Sequence, residues 1–264
     1  MVLATLLNQL RLPESFEISD LDEPANIHIL RKIIQRKPFL YNTYRSFYHQ
    51  LLRAIEQVPE GEVVELGSGA SFLQKYAPQI TTSDVLPYEG VDRVFSALDM
   101  PFSDSTVAAF VMVDVFHHLQ DSRQFFQAAL RCLKPGGKIV MVEPANTAWS
   151  RFVYTNFHHE PFETRGWWGF DTGGPLSGAN MALPWIVFCR DRRQFQAEFP
   201  GLRICTIRIH TPFRYLLSGG LSFRQLLPSW TYPLVEAIES LLTPVNSYLG
   251  MFMTIELEKI DSTK

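Results

Sequence analysis

Val63-Val64-Glu65-Leu66-Gly67-Ser68-Gly69-Ala70-Ser71 is the stretch on which the reading of this chain turns. A short β-branched run, Glu62 to Leu66, passes directly into a turn with two glycines, and Phe72 to Tyr76 reads as the opening of a helix. Glycine lets the backbone turn sharply and approach a ligand closely, and a helix start offers N–H groups with no partner of their own. A strand, a glycine turn and a helix in that order suit a cofactor held by an α/β protein. Alone, the pattern suits a tight βα turn in any such protein as well.

Outward from that stretch the chain keeps the same rhythm. Upstream, residues 27–56 read as helical, with Tyr41, Tyr44, Tyr48, Leu51 and Leu52 at helical spacing and Pro59-Glu60-Gly61 as the stop. Downstream, Gln79 to Asp84 and Arg93 to Ala97 are short strands. Val107 to Val115 is apolar apart from Asp114, as expected of a strand buried on both faces. Ser122 to Leu133 is predicted helical and ends at Lys134-Pro135-Gly136-Gly137, before a strand at Lys138 to Val142. Strands alternating with helices through short loops predict a parallel, doubly wound sheet. Farther on, a helix is expected over Trp185 to Phe199 and strands over Leu202 to Thr211 and Met251 to Glu258.

Two acids narrow the choice of cofactor. Asp84 ends the second strand, nineteen residues after Glu65, where a carboxylate can accept from both ribose hydroxyls. Asp99, in Leu98-Asp99-Met100-Pro101-Phe102, follows the third strand and can accept from an adenine amino group between apolar neighbours. A dinucleotide fingerprint asks for glycine where Phe72 stands, because strand and helix pack closely there. That position tells against a nicotinamide-dependent dehydrogenase.

As a set, Glu65-Leu66-Gly67-Ser68-Gly69, Asp84, Leu98 to Asp104, Val115-Phe116-His117-His118-Leu119 and Leu133-Lys134-Pro135-Gly136-Gly137 resemble the class I S-adenosylmethionine (SAM)-dependent methyltransferases. The nearest likeness is to the small-molecule and lipid branch with the ubiquinone/menaquinone-type motif layout, over roughly residues 60 to 145. Ser71 stands where that family often has a third glycine. The resemblance implies an α/β, Rossmann-like, doubly wound and mostly parallel seven-stranded sheet, with N-terminal helices and a lid insertion before the last strand. It implies SAM as cofactor and S-adenosylhomocysteine as product. Glu65 would orient the glycine loop near the methionine amino group, with Gly67, Ser68 and Gly69 facing the methionine portion. Asp84 would meet the ribose, Leu98, Asp99 and Met100 the adenine, and Asp114 the methionyl end. The organisation expected is a helical cap over 1–58 and a SAM-binding methyltransferase domain over 59–264, with substrate-side insertions at about 145–184 and 212–250.

Methyl transfer from a sulfonium is an in-line displacement that needs alignment above all, and an oxygen acceptor gains from a positioned base. Histidine titrates in the useful range. His117 and His118 follow the fourth strand, at the edge where ligands bind in such sheets. His158-His159-Glu160 lies in the irregular region after the fifth strand. His118, His158 and His159 are the candidate bases, set against the plainer roles of packing and loop capping. No third ligand identifies a metal site at His158-His159-Glu160, and no metal is expected. In the segment from Trp167 to Asn180, paired tryptophans beside glycines suit a flat apolar wall, and Trp168, Asp171 and Asn180 are substrate-side candidates. Tyr44, on the N-terminal helix, is a fourth.

Composition limits the rest. The 264 residues are 46% hydrophobic and 19% charged with a net charge of −3, which fits one globular domain and no general affinity for nucleic acid. Three scattered cysteines form neither a disulfide framework nor a zinc site, so a reducing, cytoplasmic setting is expected. Met1 to Leu12 is apolar but lacks the layout of a signal peptide, and no stretch is long and apolar enough to span a membrane. The apolar insertion has only Arg214 and Arg224 as basic residues, against Glu236 and Glu239. It therefore reads as a greasy acceptor pocket or a homodimer interface before a peripheral membrane contact. The expected acceptor is small and hydrophobic or lipid-linked, with O-methylation favoured. A protein methyltransferase and a catalytically silent SAM-binding scaffold are the alternatives.

Overall fold

In the computed structural model, which describes residues 9–16, 18, 22–171, 173–174 and 177–260, the apolar run Val107–Val113 lies in the middle of a seven-stranded sheet. The strands are β1 (Glu62–Glu65), β2 (Thr81–Asp84), β3 (Arg93–Val94), β4 (Val107–Val113), β5 (Leu133–Pro144), β6 (Leu202–His210) and β7 (Phe252–Lys259), in the order β3-β2-β1-β4-β5-β7-β6. The first five run parallel, and β7 is antiparallel to both β5 and β6. This is the Rossmann-like, mostly parallel sheet expected above. Positions 1–8 of the apolar start, and Thr172, Pro175 and Leu176 of the glycine-rich segment, lie outside the described residues.

The period of two along buried strands builds two cores. Phe110, Met112, Ile139, Met141, Ile255 and Leu257 face one side, where they meet Phe116, Phe126, Phe188 and Phe195. Val111, Val140, Val142 and Phe252 face the other, against Phe47, Tyr48 and Leu51 of the N-terminal helices. Those helices are α1 (Ile27–Arg36) and α2 (Pro38–Ala54). The single helical region expected at 27–56 is split because Pro38 disfavours the helical backbone at Lys37, which is extended (φ −113°, ψ 92°).

The doubly wound layering is thinner than its strand pattern suggests. Among the steps joining the parallel strands β1 to β5, only that from β4 to β5 carries a full helix, α3 (Ser122–Cys132), capped by the Asp121 carboxylate on the N–H groups of Arg123 and Gln124. The helix expected at Phe72 to Tyr76 is one 3₁₀ turn, Leu73–Lys75, cut short by Pro78. Between β2 and β3 the connection is short and holds Pro87 and Gly90, and Pro101 lies between β3 and β4. The Lys134-Pro135-Gly136-Gly137 stop becomes a kink inside β5, with Gly136 left-handed (φ +77°) and a register shift opposite it. The helix expected at Trp185 to Phe199 is broken: a π-helical turn, Ile186–Arg190, precedes a short helix, Arg192–Glu198.

Beyond β5, α4 (Ala148–Phe157) starts from a capping box of Thr147 and Ser150. The 212–250 insertion contains α5 (Arg214–Ser218) and α6 (Tyr232–Leu241). It is fastened to α2, with Phe39 edge-on to Tyr232 (5.2 Å). Inside it, the buried Glu239 carboxylate accepts from the Phe213 and Arg214 N–H groups (2.8 and 2.7 Å) and from the Arg214 guanidinium. Its other side, with Trp230, Leu234, Ile238, Leu241 and Tyr248, is exposed. No helix among the described residues is long and apolar enough to cross a membrane.

Candidate functional site

The parallel strands deliver their carboxyl ends to one edge of the sheet, and there the turn after β1 folds as its glycines require. Gly67 and Gly69 are both left-handed (φ +60° and +44°). A Cβ on Gly67 would stand 2.7 Å from the Val115 side chain, so the loop after β4 closes directly on the turn. Gly69 N–H donates to Asp84 Oδ2 (2.9 Å), and Leu86 N–H to Oδ1 (3.0 Å). Asp84 thus holds the turn while each oxygen keeps a further lone pair. Burial pushes its carboxyl up, and the backbone donors partly offset this.

Glu65, at the end of β1, is 2% exposed, and its Oε2 has no hydrogen-bond partner. Burial raises its carboxyl to about 8; the Ser71 hydroxyl opposes this, and the nearby Asp84 charge reinforces it. Asp114, at the end of β4, is left-handed (φ +55°) and is also raised to about 8, again chiefly by burial. Arg31 and His117 offset this only in part, so two buried carboxyls, one at the end of β1 and one at the end of β4, fit an ammonium group such as the methionyl end of SAM. Ser68 is buried, with its hydroxyl 2.5 Å from that of Tyr88. Met100 is buried under the turn between β3 and β4, Leu98 half-buried, and the Asp99 N–H donates to Ser96 O (2.9 Å).

Two residues that the strand pattern did not single out close this region. Arg31 of α1 donates to Gly69 O and Glu89 O (3.2 Å each) and lies over the Tyr88 ring at 5.1 Å. Tyr88 follows the acid-ended strand by four residues, close enough in sequence to be found; Arg31 carries no local signal.

A second group of titratable side chains adjoins Asp114. Glu143, the fully buried acid near the end of β5, accepts from Val115 N–H (2.9 Å) and Phe116 N–H (2.7 Å) through Oε1, and its Oε2 is 2.7 Å from His117 Nδ1. On its far side, His117 Nε2 is 3.4 Å from Glu160 Oε2. Burial opposes charge on His117, but its bonds to Glu143 and Glu160 win and raise it to about 10. Burial likewise opposes charge on Glu160, and the His117 contact overrides it, to about 2. His118, His158 and His159 come within 3.9, 3.9 and 3.6 Å of the Glu160 carboxylate. Burial lowers both His118 and His158 to about 4, so each is neutral at pH 7. His118 Nδ1 is 2.9 Å from Gly178 O, and His158 Nδ1 accepts from Glu160 N–H (3.2 Å). The sequence offered these histidines as two separate pairs; folding gathers both around one acid. Glu143 carries the same signal as Asp114, an acid at the end of an apolar strand.

The substrate-side candidates divide. Tyr44 is buried on α2 beside Tyr48 and Tyr215, and burial raises its hydroxyl well above the ordinary range. Asp114 is close enough to Tyr44, Tyr154 and Tyr215 to raise all three. Trp168 is not a wall of this region: it is 2% exposed in the core against Phe195, with its indole N–H on Asp191 (2.9 Å) and the Arg123 guanidinium over its face. Asn180 has its amide occupied, accepting from Glu163 N–H and Ala182 N–H and donating to Glu163 O. It holds a loop to His117 through Asn180 N–H and His117 O (2.9 Å). Asp171 is exposed, away from this packing. Two surface cavities, beside Tyr41 and Lys75 and beside Cys189 to Gln194, are lined by no residue of the glycine turn.

Residues 64–141 match a family model described as a methyltransferase domain. No curated protein matches the chain. Among solved structures, geranyl diphosphate C-methyltransferase from Streptomyces coelicolor A3(2) is 16% identical with a TM-score of 0.48, over 92% of this chain and 86% of that one. A putative methyltransferase in complex with the Haloferax volcanii Trm112 activator is 15% identical with a TM-score of 0.47, over 89% and 97%. Haemonchus contortus phosphoethanolamine N-methyltransferase 2 is 12% identical with a TM-score of 0.48, over 95% and 60%. Likenesses at this level say nothing about the acceptor.

Proposed function

We propose that the chain is a class I, SAM-dependent methyltransferase that methylates a hydroxyl group on a small, hydrophobic acceptor; the match of residues 64–141 to a methyltransferase domain supports the reading. SAM supplies the electrophilic methyl group on a sulfonium. The Glu65 and Asp114 carboxylates would hold the cofactor's ammonium group, the N–H groups of the glycine turn its carboxylate, and Asp84 its ribose hydroxyls. Leu98, Asp99 and Met100 would meet the adenine. Arg31 and Tyr88, which already cover the turn, would exclude water from the nucleoside.

One observation carries the acceptor reading. Among the described residues, the side chains that act on or feel Asp114 include the buried phenols Tyr44, Tyr154 and Tyr215, the His117 imidazole and the acids Glu143 and Glu160, and none is a lysine or arginine. That lining favours an aromatic or lipid-like body over an anionic one. His118, neutral at pH 7 with Nδ1 held to Gly178 O, has Nε2 free to take the proton of a hydroxyl as the methyl group transfers; His158, whose Nδ1 accepts from Glu160 N–H, and His159 stand beside the same acid. In this reading the helices of 1–58 cap the cofactor, and the insertions at about 145–184 and 212–250 form the acceptor side. The exposed apolar side of α6 supports association, either with a second copy or with a membrane surface; light scattering and vesicle co-sedimentation separate the two.

Calorimetric titration with S-adenosylhomocysteine tests the cofactor half. Mass spectrometry of hydrophobic extracts incubated with methyl-labelled SAM tests the acceptor half. Label on amines or on protein alone would overturn the hydroxyl reading, and no binding of S-adenosylhomocysteine would overturn the site assignment.

A further inference from the structure

His117, His118 and Glu160 each offer one ligand atom, and the three atoms lie within 4.8 Å of one another. Two of the spacings are 3.4 Å (His117 Nε2 to Glu160 Oε2) and 3.9 Å (His118 Nε2 to Glu160 Oε1). An ion bound about 2 Å from each ligand needs them roughly 3–3.5 Å apart, so small side-chain rotations complete the set.

The surroundings match those of metal-binding histidines. In such sites each imidazole gives its second nitrogen to a carboxylate or backbone carbonyl, which fixes the tautomer and aims the first nitrogen at the ion. Here His117 Nδ1 is tied to the Glu143 carboxylate at 2.7 Å and His118 Nδ1 to Gly178 O at 2.9 Å. Both Nε2 atoms are thereby turned toward the same acid. A second sign is that Glu160 Oε2, a buried oxygen, lies 3.4 Å from His117 Nε2 without completing a hydrogen bond, while Oε1 faces His118 Nε2. Glu143 is itself locked by Val115 N–H and Phe116 N–H, so the support of His117 is rigid. The ligands come from two segments, the loop after β4 and the loop after α4, and their support, Glu143, from the end of β5.

We propose that His117 Nε2, His118 Nε2 and Glu160 form a binding site for a divalent first-row transition ion. Two imidazoles and one carboxylate suit zinc, iron(II) or cobalt(II) and leave coordination positions open. Binding releases the proton from His117 Nε2 to solvent. In so far as it concerns the acceptor, the inference rests on the methyl-transfer reading. With the ion bound, His118 Nε2 is a ligand and no longer the base; the acceptor hydroxyl takes an open position and loses its proton to water, and the resulting oxyanion attacks the methyl carbon as the carbon–sulfur bond breaks.

The test is made on the full chain, stripped with a chelator and titrated with zinc and cobalt(II). One ion per chain is expected, with visible absorption bands for cobalt. Glu160→Gln and His118→Gln should each weaken binding on the order of 100-fold, and Glu143→Gln about 10–100-fold through His117. The stripped chain should bind S-adenosylhomocysteine as the loaded chain does. Loss of that binding alone would count against the cofactor assignment and leave the metal site standing. Absence of stoichiometric binding, or affinity unchanged in both Glu160→Gln and His118→Gln, overturns the metal site. Should either variant fail to fold, X-ray absorption of the loaded wild-type chain decides. Two imidazoles and a carboxylate support the site, and a shell lacking the imidazole pair refutes it.

Discussion

Glu65 lets the cofactor assignment be tested without an acceptor. Its carboxyl titrates near 8 in the folded chain and near 4.5 when unfolded, because folding removes it from water and leaves Oε2 unpartnered. A carboxyl raised by folding binds its proton more tightly in the native state, so the associated stability is present below pH 4.5 and is lost as pH rises through 8. At about 1.4 kcal/mol per pH unit, the interval from pH 5 to 8 amounts to about 4 kcal/mol for this one group. Glu65→Gln keeps the shape and removes the titration. The measurement is urea unfolding of wild type and Glu65→Gln, without ligand, at one-unit steps from pH 5 to 8. Subtracting the two curves cancels the titrating groups that Glu65 does not influence and leaves Glu65 with its coupled neighbour Asp84. The variant should gain on the wild type as pH rises, by about 4 kcal/mol over the interval. The same substitution should weaken S-adenosylhomocysteine at least 10-fold at pH 8, where the ionised carboxylate meets the ligand's ammonium group. A pH-independent difference between the two proteins would refute the reasoning, since it would mean that Glu65 is paired or hydrated. A large stability gain with unchanged ligand affinity would refute the ammonium assignment alone.

Asp84→Ala should lower S-adenosylhomocysteine affinity on the order of 100-fold by calorimetry and destabilise the chain by about 1–3 kcal/mol, because it frees two backbone donors, Gly69 N–H and Leu86 N–H. His118→Ala should reduce single-turnover methyl transfer by about 100-fold while cofactor affinity changes little; unchanged turnover would remove His118 from the reaction. Trp168→Phe should cost about 1–2 kcal/mol in urea titrations through loss of the indole bond to Asp191, with kcat/KM retained. Glu239→Gln should cost about 3 kcal/mol, read in the same way, because the Arg214 guanidinium is left buried without its inner partner.

Most of the sheet was legible because strands buried on both faces announce themselves as unbroken apolar runs, as at Val107–Val113 and 139–142. The cofactor acids were legible for a related reason. Glu65 and Asp114 are acids at the ends of apolar strands and Asp84 closes a short β-branched one, and a strand's end is a local property. The missing crossover helices were less so, since Phe72 to Tyr76 looks helical until Pro78 and the short span to Thr81 are taken into account. Trp168 and Asn180 misled for the converse reason. Aromatic and amide side chains look available in a glycine-rich segment, and only packing reveals that Asp191 and Glu163 already satisfy them.

The sequence by itself pointed to the order of the elements, the glycine turn and the kind of cofactor, because each rests on short local signals read in order along the chain. Tertiary structure alone decided which side chains act together. Arg31 reaches Gly69 across 38 positions, and Gly178 meets His118 across 60. His117 meets Glu143 and Glu160 only because parallel strands bring their carboxyl ends to one edge. Distances of that kind depend on the crossover geometry and on the exclusion of water around the cluster. Neither is written in the spacing of residues along the chain.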